Sequence, residues 1–504
     1  MESAKIEPQM GKSSRPYILF LLLLMTIAAL FVHGYHPYVE DAEIYLPGIE
    51  HILNRQLFPM GQEFFASHAD LTLFPNLIAL SARITHLPLD VVLFLWHVAS
   101  VFLLLLGCWQ LASLCFSSER ARWAAVGMIA ALLTVPVAGT ALYITDQYLN
   151  PRNLAAFASV FAVARTLEGK YVRASLWLVF AGLVHPMMWA YSFSFCVLLV
   201  VMRRFEPGRG TQLTSENVAI VSSCLLLQFP LNPKTTFAYG EAARRHAYHY
   251  IQKWAWYEIL GLVAPIALFW WFARIAQQKN WKNVQRLSRA FIIYDIVYII
   301  AALIIDLPVR FETLARFQPL RSLHLLYMVM LVIAGGMLGE FVLKSRAWRW
   351  LALFLPLSAG MFLAQRALFP ASAVVEWPGV APKNPWAQAF LWIRENTPVN
   401  AIFALDPDYM HIHGEEEIGF RCLAQRSRMA DDVKDNGVVS MFPQLGEEWW
   451  AQVQAQRPWK NFTLQSLEQL REQYGVNWIV TEQPGVAGLE CPYQNPSVRV
   501  CRLP

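Results

Sequence analysis

Residues 17–366 are a succession of apolar runs, many near the ~20 residues an α-helix needs to cross a bilayer, separated by short charged loops. The runs fall at 17–33, 89–115, 122–145, 152–167, 171–185, 187–202, 216–231, 257–275, 288–306, 322–343 and 349–366. That is about eleven spans. The pattern predicts a polytopic α-helical membrane protein. Composition agrees: 56% of the 504 residues are hydrophobic and 15% are charged, against roughly 25% charged in an average soluble domain. The net charge of +5 is small and reflects loop lysines and arginines, not a nucleic-acid partner. The sequence holds no Walker loop, no dinucleotide fingerprint and no CxxC pair.

The N-terminus has the cationic head of a signal peptide. Its apolar core is long and no small-x-small cleavage site follows, so it reads as an uncleaved first span with a cytoplasmic N-terminus. The short cationic loops 117–122, 168–173, 203–209, 278–286 and 344–349 belong to the cytoplasmic side. The loops 34–88, 146–151, 232–256 and 307–321 face outward, as does everything from about 367. This places the chain in the inner (plasma) membrane. Parity holds only if 71–86, "LTLFPNLIALSARITH", does not fully span, so it is expected to be a re-entrant or interfacial helix on the outer side.

Residues 1–366 are therefore expected to form the membrane domain and 367–504 an extracytoplasmic α/β domain. In the latter, 384–396 and 463–475 have helical spacing, with Thr463 and Gly475 as caps. The segments 401–407, 477–482 and 498–503 read as strands. Cys108, Cys115, Cys196 and Cys224 lie in spans as packing residues. Cys422, Cys491 and Cys501 lie outside; a Cys491–Cys501 bridge is one pairing among several.

Candidate chemistry sits at the outer boundary. "YHPYVEDAEIYLPGIEH" places Glu40, Asp41 and Glu43 directly after the first span. An amphipathic helix follows, with Ile49, Ile52, Leu53 and Leu57 on one side, suited to lying flat on the membrane. Asp41 and Glu43 would then face a cleft at the water–lipid boundary. A carboxylate there can act as a general base or hold a divalent metal ion; it can also simply mark the outer end of a span. Asp146 repeats the placement in the second outer loop, and Arg152 begins the return helix as a ligand-binding group or an interface anchor. His185 precedes Pro186 in an apolar stretch. Lys234, Arg244, Arg245, His246 and His249 make a cationic, aromatic loop. Arg310, Arg316 and Arg321 break the positive-inside bias, and Arg316 and Arg321 flank Gln318-Pro319 as candidate phosphate contacts. Asp295 is a buried acid within a span.

With its acid after the first span, second acid in the next outer loop, outer cationic groups and soluble outer domain, the chain resembles the GT-C superfamily of polytopic glycosyltransferases. "YLNPR", "GLVHPMM", "RFQPLRSLHLL" and "WIRENTP" look like motifs of a bacterial family with GT-C-like architecture. The resemblance implies transfer of a sugar from a polyprenyl-phosphate donor on the outer face. The first-loop acid, with Asp41 as best match and Glu40 and Glu43 as rivals, would be the base or would orient the acceptor. Asp146 would support it or a metal. The arginines would stabilise the departing lipid phosphate. There is no Asp-x-Asp in the second loop, where 146–148 reads Asp-Gln-Tyr. "GEEWWAQ" lacks the Asp-Tyr-Gly continuation of the oligosaccharyltransferase signature and reads as an amphipathic helix. A transporter or flippase for a lipid-linked or anionic substrate, or a non-catalytic GT-C-like protein, remains the alternative. Charges clustered at one boundary and the lack of repeated halves run against transport.

Overall fold

The computed structural model describes residues 14–204, 236–306 and 312–504. The run 216–231, Cys224, Lys234 and Arg310 lie outside the described residues. Among the described residues, seven helices are long and apolar enough to cross a bilayer: Arg15–His33, Leu89–Cys115, Pro186–Arg203, Trp256–Gln278, Lys282–Ile305, Pro319–Leu343 and Ala347–Leu368. The chain is a multi-pass helical membrane protein by this measure, with a small C-terminal sheet.

The remaining apolar runs behave differently. The run 122–145 is helical only over Glu119–Ala131. Pro136 lacks a donor and Ala138 and Ala141 adopt positive φ, so the chain folds back through a bridge between Pro136 and Tyr143. The run 152–167 forms the helix Pro151–Glu168, capped by Asn150 and Gly169 and buried along almost its whole length. The stretch 171–202 breaks at His185 into Tyr171–Val184 and Pro186–Arg204. Within 71–86, the helix Phe74–Thr85 has 12 residues, about 18 Å, well short of the ~30 Å hydrocarbon core.

Small residues let helices touch. A Cβ on Gly335 would lie 2.6 Å from the Ala124 carbonyl oxygen, and one on Gly339 would lie 2.7 Å from the Ala124 Cβ. This four-residue spacing packs the helix Leu323–Leu338 directly on Glu119–Ala131. The helix Ala347–Leu368, by contrast, buries only Gln365 and exposes Leu351, Leu355 and Leu363, as a lipid-facing helix does.

The C-terminal sheet contains β1 (Ile402–Ala404), β2 (Ser427–Arg428), β3 (Trp478–Glu482), β4 (Glu490–Gln494) and β5 (Val498–Arg502). Their order is β2-β1-β3-β5-β4. β1 runs parallel to β2 and β3; β5 runs antiparallel to β3 and β4, with Val480 opposite Val500. Cys491 and Cys501 form a disulfide across β4 and β5. The helix Pro385–Asn396 buries Trp386, Phe390 and Ile393. The helix Leu464–Tyr474 is closed by a Thr463 cap and by Gly475 at φ 72°.

The loop after the first helix is joined to this domain. Its backbone pairs with 374–376 and 417–419: the Glu40 N–H donates to the Glu417 carbonyl at 2.9 Å and the Gly419 N–H to the Tyr38 carbonyl at 2.7 Å. The helix Ala42–Leu53 forms as its amphipathic pattern predicts. Its buried residues Ile44, Leu46 and Ile49 pack among the helices Glu63–Leu71, Phe74–Thr85 and Phe420–Ala424. Protein covers much of it: Glu43 meets Arg428 and Glu50 accepts from the Gln425 side chain, both of the C-terminal domain, while Ile52 and Leu53 stay half-buried.

Candidate functional site

A cavity of about 1020 Å³ opens where the 39–45 and 136–152 segments, the 245–258 loop and the 318–321 turn meet the C-terminal domain. Its floor is an ion triad. Arg152 is the second residue of the helix Pro151–Glu168, and the Asn150 side chain caps that helix by accepting from the Asn153 N–H. This sets the guanidinium between two carboxylates. Arg152 Nη1 donates to Asp41 Oδ2 at 2.9 Å, and Nη2 to Asp146 Oδ2 at 3.1 Å. The Arg152 Nε adds a contact to the same Asp146 oxygen at 3.3 Å, and Asn150 Nδ2 also donates to it. The Asp41 N–H donates to the Tyr148 hydroxyl at 3.2 Å.

The soluble domain supplies the opposite wall. Lys434 opens the helix Lys434–Met441. Its Nζ lies 2.7 Å from Glu40, 3.3 Å from Glu417 and 3.6 Å from Asp41. Glu40 sits in the left-handed region at φ 57°, the kink that turns the chain into the next helix. Burial alone would push the Asp41 carboxyl up, but Arg152 and Lys434 outweigh it and hold Asp41 well below the usual carboxylate range. At Glu417 the balance is reversed. Burial pushes its carboxyl up to about 7; Lys434 opposes this, while Glu40 and Asp41 add to it.

Asp41 and Glu43 do not share the cleft. Two helical residues apart they point about 200° from one another. Glu43 is wholly buried, 3.0 Å from Arg428 and 3.6 Å from Arg421, and accepts from the Cys422 N–H at 3.3 Å. Arg421 in turn pairs with Asp435 at 2.7 Å, and Arg428 pairs with Asp431. Glu43 therefore ties the first loop to the soluble domain instead of lining the cavity.

Of the expected cationic groups, Arg152, His185, Arg245 and Arg321 line the cavity, whereas Arg244 and Arg316 do not. Arg245 is paired with Asp432 and lies over Trp449 at 5.5 Å. Arg244 turns outward to Glu241 at 2.7 Å. Arg316 is buried against the Phe317 ring at 5.3 Å. Arg321 lies over the Tyr248 ring at 5.0 Å. Among the described residues no carboxylate pairs with it, and its buried Nε lacks a hydrogen-bond partner. The turn before it is held by the Tyr191 hydroxyl, close to the Phe317 and Gln318 carbonyls at 2.6 and 2.7 Å. Nearby His246 is pushed down to about 4 by burial, so it is neutral at pH 7.

Among the described residues no three His, Cys, Asp or Glu side chains converge as metal ligands. The Arg152 guanidinium occupies the position between Asp41 and Asp146 that a bridging cation would need. The triad does not fit a divalent metal.

A second, apolar groove of about 380 Å³ runs between the helices Ser14–His33 and Leu89–Cys115. Leu23, Ile27, Phe31, Phe94 and Val101 line it, and it ends at Asp146 and Gln147, which also line the polar cavity. Asp295 touches neither space.

Sequence reasoning missed Glu417, Lys434 and Asp432. Their only local signal is the acid-rich text of "HGEEEIGF" and "MADDVKDNG", and nothing in it reveals which acids face the first loop. No protein-family model matches the chain, and no curated protein matches it.

Proposed function

We propose that the protein transfers a sugar from a polyprenyl-phosphate-linked donor to an acceptor in the cavity, on the outer face of the membrane. One observation carries this reading: a polar, charged cavity and an apolar groove share Asp146 and Gln147 in their linings. A donor with a hydrocarbon tail and a phosphorylated head would span the two. The tail would lie in the groove and the sugar phosphate in the cavity. Arg321, without a carboxylate partner among the described residues, is the group suited to the phosphate that leaves. The Arg152 bridge fixes Asp41 and Asp146 as acceptor-orienting carboxylates.

The Cys491–Cys501 disulfide supports an outward-facing C-terminal domain, since disulfides persist in oxidising compartments. On this reading we place the N-terminus in the cytoplasm and the chain in the plasma membrane. The test uses the full-length protein in nanodiscs with radiolabelled polyprenyl-phosphate hexoses and pentoses, reading release of polyprenyl phosphate. Arg321→Ala should lower turnover at least about tenfold, the worth of one charge-assisted contact. Absence of release with every donor, or full turnover in both Asp41→Asn and Asp146→Asn, overturns the proposal.

A further inference from the structure

Four carboxylates stand around the acceptor side of the cavity, and they are not equally neutralised. Asp146 takes two nitrogens of Arg152 and one of Asn150. Asp41 takes the third Arg152 nitrogen and a longer contact to Lys434. Glu40 holds the shortest contact to Lys434, at 2.7 Å. Among the described residues Glu417 pairs with the same lysine alone, at 3.3 Å, and its side chain is about a third exposed, at 32%. Lys434 thus has one charge for three acids, and Glu417 receives a small share of it. The cavity also shows itself built for a ligand: the Gln318 side chain is 4% exposed, lines it, and has an unpartnered Oε1.

We infer that Glu417, not Asp41, is the group in the cavity that accepts a proton at neutral pH. This rests on the transfer reading for its chemical use, though not for its protonation. In that use, an acceptor hydroxyl oxygen bonds to the sugar's anomeric carbon. The bond from that carbon to the phosphate oxygen breaks, and polyprenyl phosphate leaves with the electron pair. The acceptor proton passes to the Glu417 carboxylate. Asp41 is a poor proton acceptor, because a guanidinium and an ammonium both favour its charged form.

The charged and titratable groups facing Glu417 are few. Lys434 comes from the helix behind it, and Glu40 and Asp41 come from the first loop. Tyr143 comes from the second-loop fold, while Glu415 and Glu416 adjoin it in sequence. Glu416 is committed elsewhere, to the Ser372 hydroxyl and to Asn384 Nδ2 at 2.8 Å. Burial and the two first-loop acids push the Glu417 carboxyl up against the pull of Lys434, to about 7.

Infrared difference titration of the full-length protein in nanodiscs between about pH 5 and 9 tests this, using the carbonyl stretch of a protonated carboxylic acid. The expected result is a band with a midpoint near neutrality that is lost in Glu417→Gln and kept in Asp41→Asn. Among the described residues the Glu417 carboxylate pairs with Lys434 alone, so the exchange should leave the fold intact. Should it not, Lys434→Gln gives a second reading. Losing the cation must move the midpoint upward. No carboxyl component in that window that Glu417→Gln removes from the wild-type spectrum, or a midpoint of that component unmoved by Lys434→Gln, overturns the inference. The transfer reading is judged separately, by donor turnover: a protein that titrates as expected yet releases no polyprenyl phosphate refutes transfer and leaves the proton site standing.

Discussion

Arg152→Gln should be among the costliest single changes in the protein. The Arg152 side chain is 7% exposed, and its three nitrogens reach Asp41 and Asp146 at 2.9 to 3.3 Å. Charge-assisted hydrogen bonds contribute roughly 1.5–3 kcal/mol each, and breaking a buried pair by removing one partner costs roughly 3–5 kcal/mol. Asp146, at 8% exposure, bears that full penalty. Asp41, at 25% exposure and still near Lys434, bears less. The expected loss is therefore about 3–5 kcal/mol, not twice that. Reversible unfolding by SDS titration in mixed micelles, followed by tryptophan fluorescence, measures it. The pH dependence gives an independent arm. Asp41 is depressed in the folded chain, so its stabilisation is present above its unfolded value of roughly 3.9 and is lost as pH falls through the lower folded value. Without Arg152, burial dominates and the carboxyl rises, so the acid-side loss of stability that Asp41 gives the wild type should shrink or reverse in Arg152→Gln. Adding Asp146→Asn should recover part of the loss, because the stranded buried charge is gone. A cost under about 1 kcal/mol, or a double variant no more stable than Arg152→Gln, would refute the view that this guanidinium holds the floor of the cavity together.

Other outcomes follow from neighbouring groups. Glu417 is raised to about 7 in the folded chain, so between roughly 4.3 and 7 the folded state holds a proton the unfolded state has released. Stability should fall as pH rises through that window, and Glu417→Gln should flatten the slope in the same SDS titration. Glu43→Ala removes one carboxylate from a cluster in which Arg421 and Arg428 keep Asp435 and Asp431; a loss of about 1–3 kcal/mol is expected, with faster limited proteolysis of 54–62. Gly335→Leu would drive a side chain into the backbone of Ala124 and Ala125 and should cost at least about 1–3 kcal/mol, read as a lower Tm in detergent.

How much of this was legible depends on whether the information is local. Hydropathy exposed the long spans because lipid-facing helices such as Ala347–Leu368 are apolar on nearly every side. It misjudged 122–145, where Pro136 and two positive-φ alanines fold the chain back, although "TVPVAGT" carried that turn signal in plain view. It saw 152–167 but not its situation: a helix buried by other helices takes alanine and serine, and its hydropathy no longer says what surrounds it. The caps at Thr463 and Gly475 were readable because a cap is decided within four residues.

The site divides the same way. Asp41, Asp146 and Arg152, which the structure brings together, could be singled out because each adjoins the end of an apolar run, a position that sequence marks. The choice between Asp41 and Glu43 was only half within reach. A residue pair two apart on a helix cannot face one cleft, but the apolar positions Ile49, Ile52 and Leu53 fall nearer the Asp41 side of the helix than the Glu43 side, so they did not mark Glu43 as the buried acid. Lys434 and Glu417 were beyond reach for a physical reason. They lie more than 370 residues from Asp41, and what brings them together is main-chain pairing of 38–40 with 417–419, which leaves no periodic trace in either segment. That pairing also decides the chemistry. The same lysine that holds Asp41 charged leaves Glu417 under-compensated, so the proton affinity of the membrane domain's acids is set by the soluble domain. A first-loop acid judged from its own surroundings would be assigned the wrong charge and the wrong task; its role is defined only when both walls of the cavity are present.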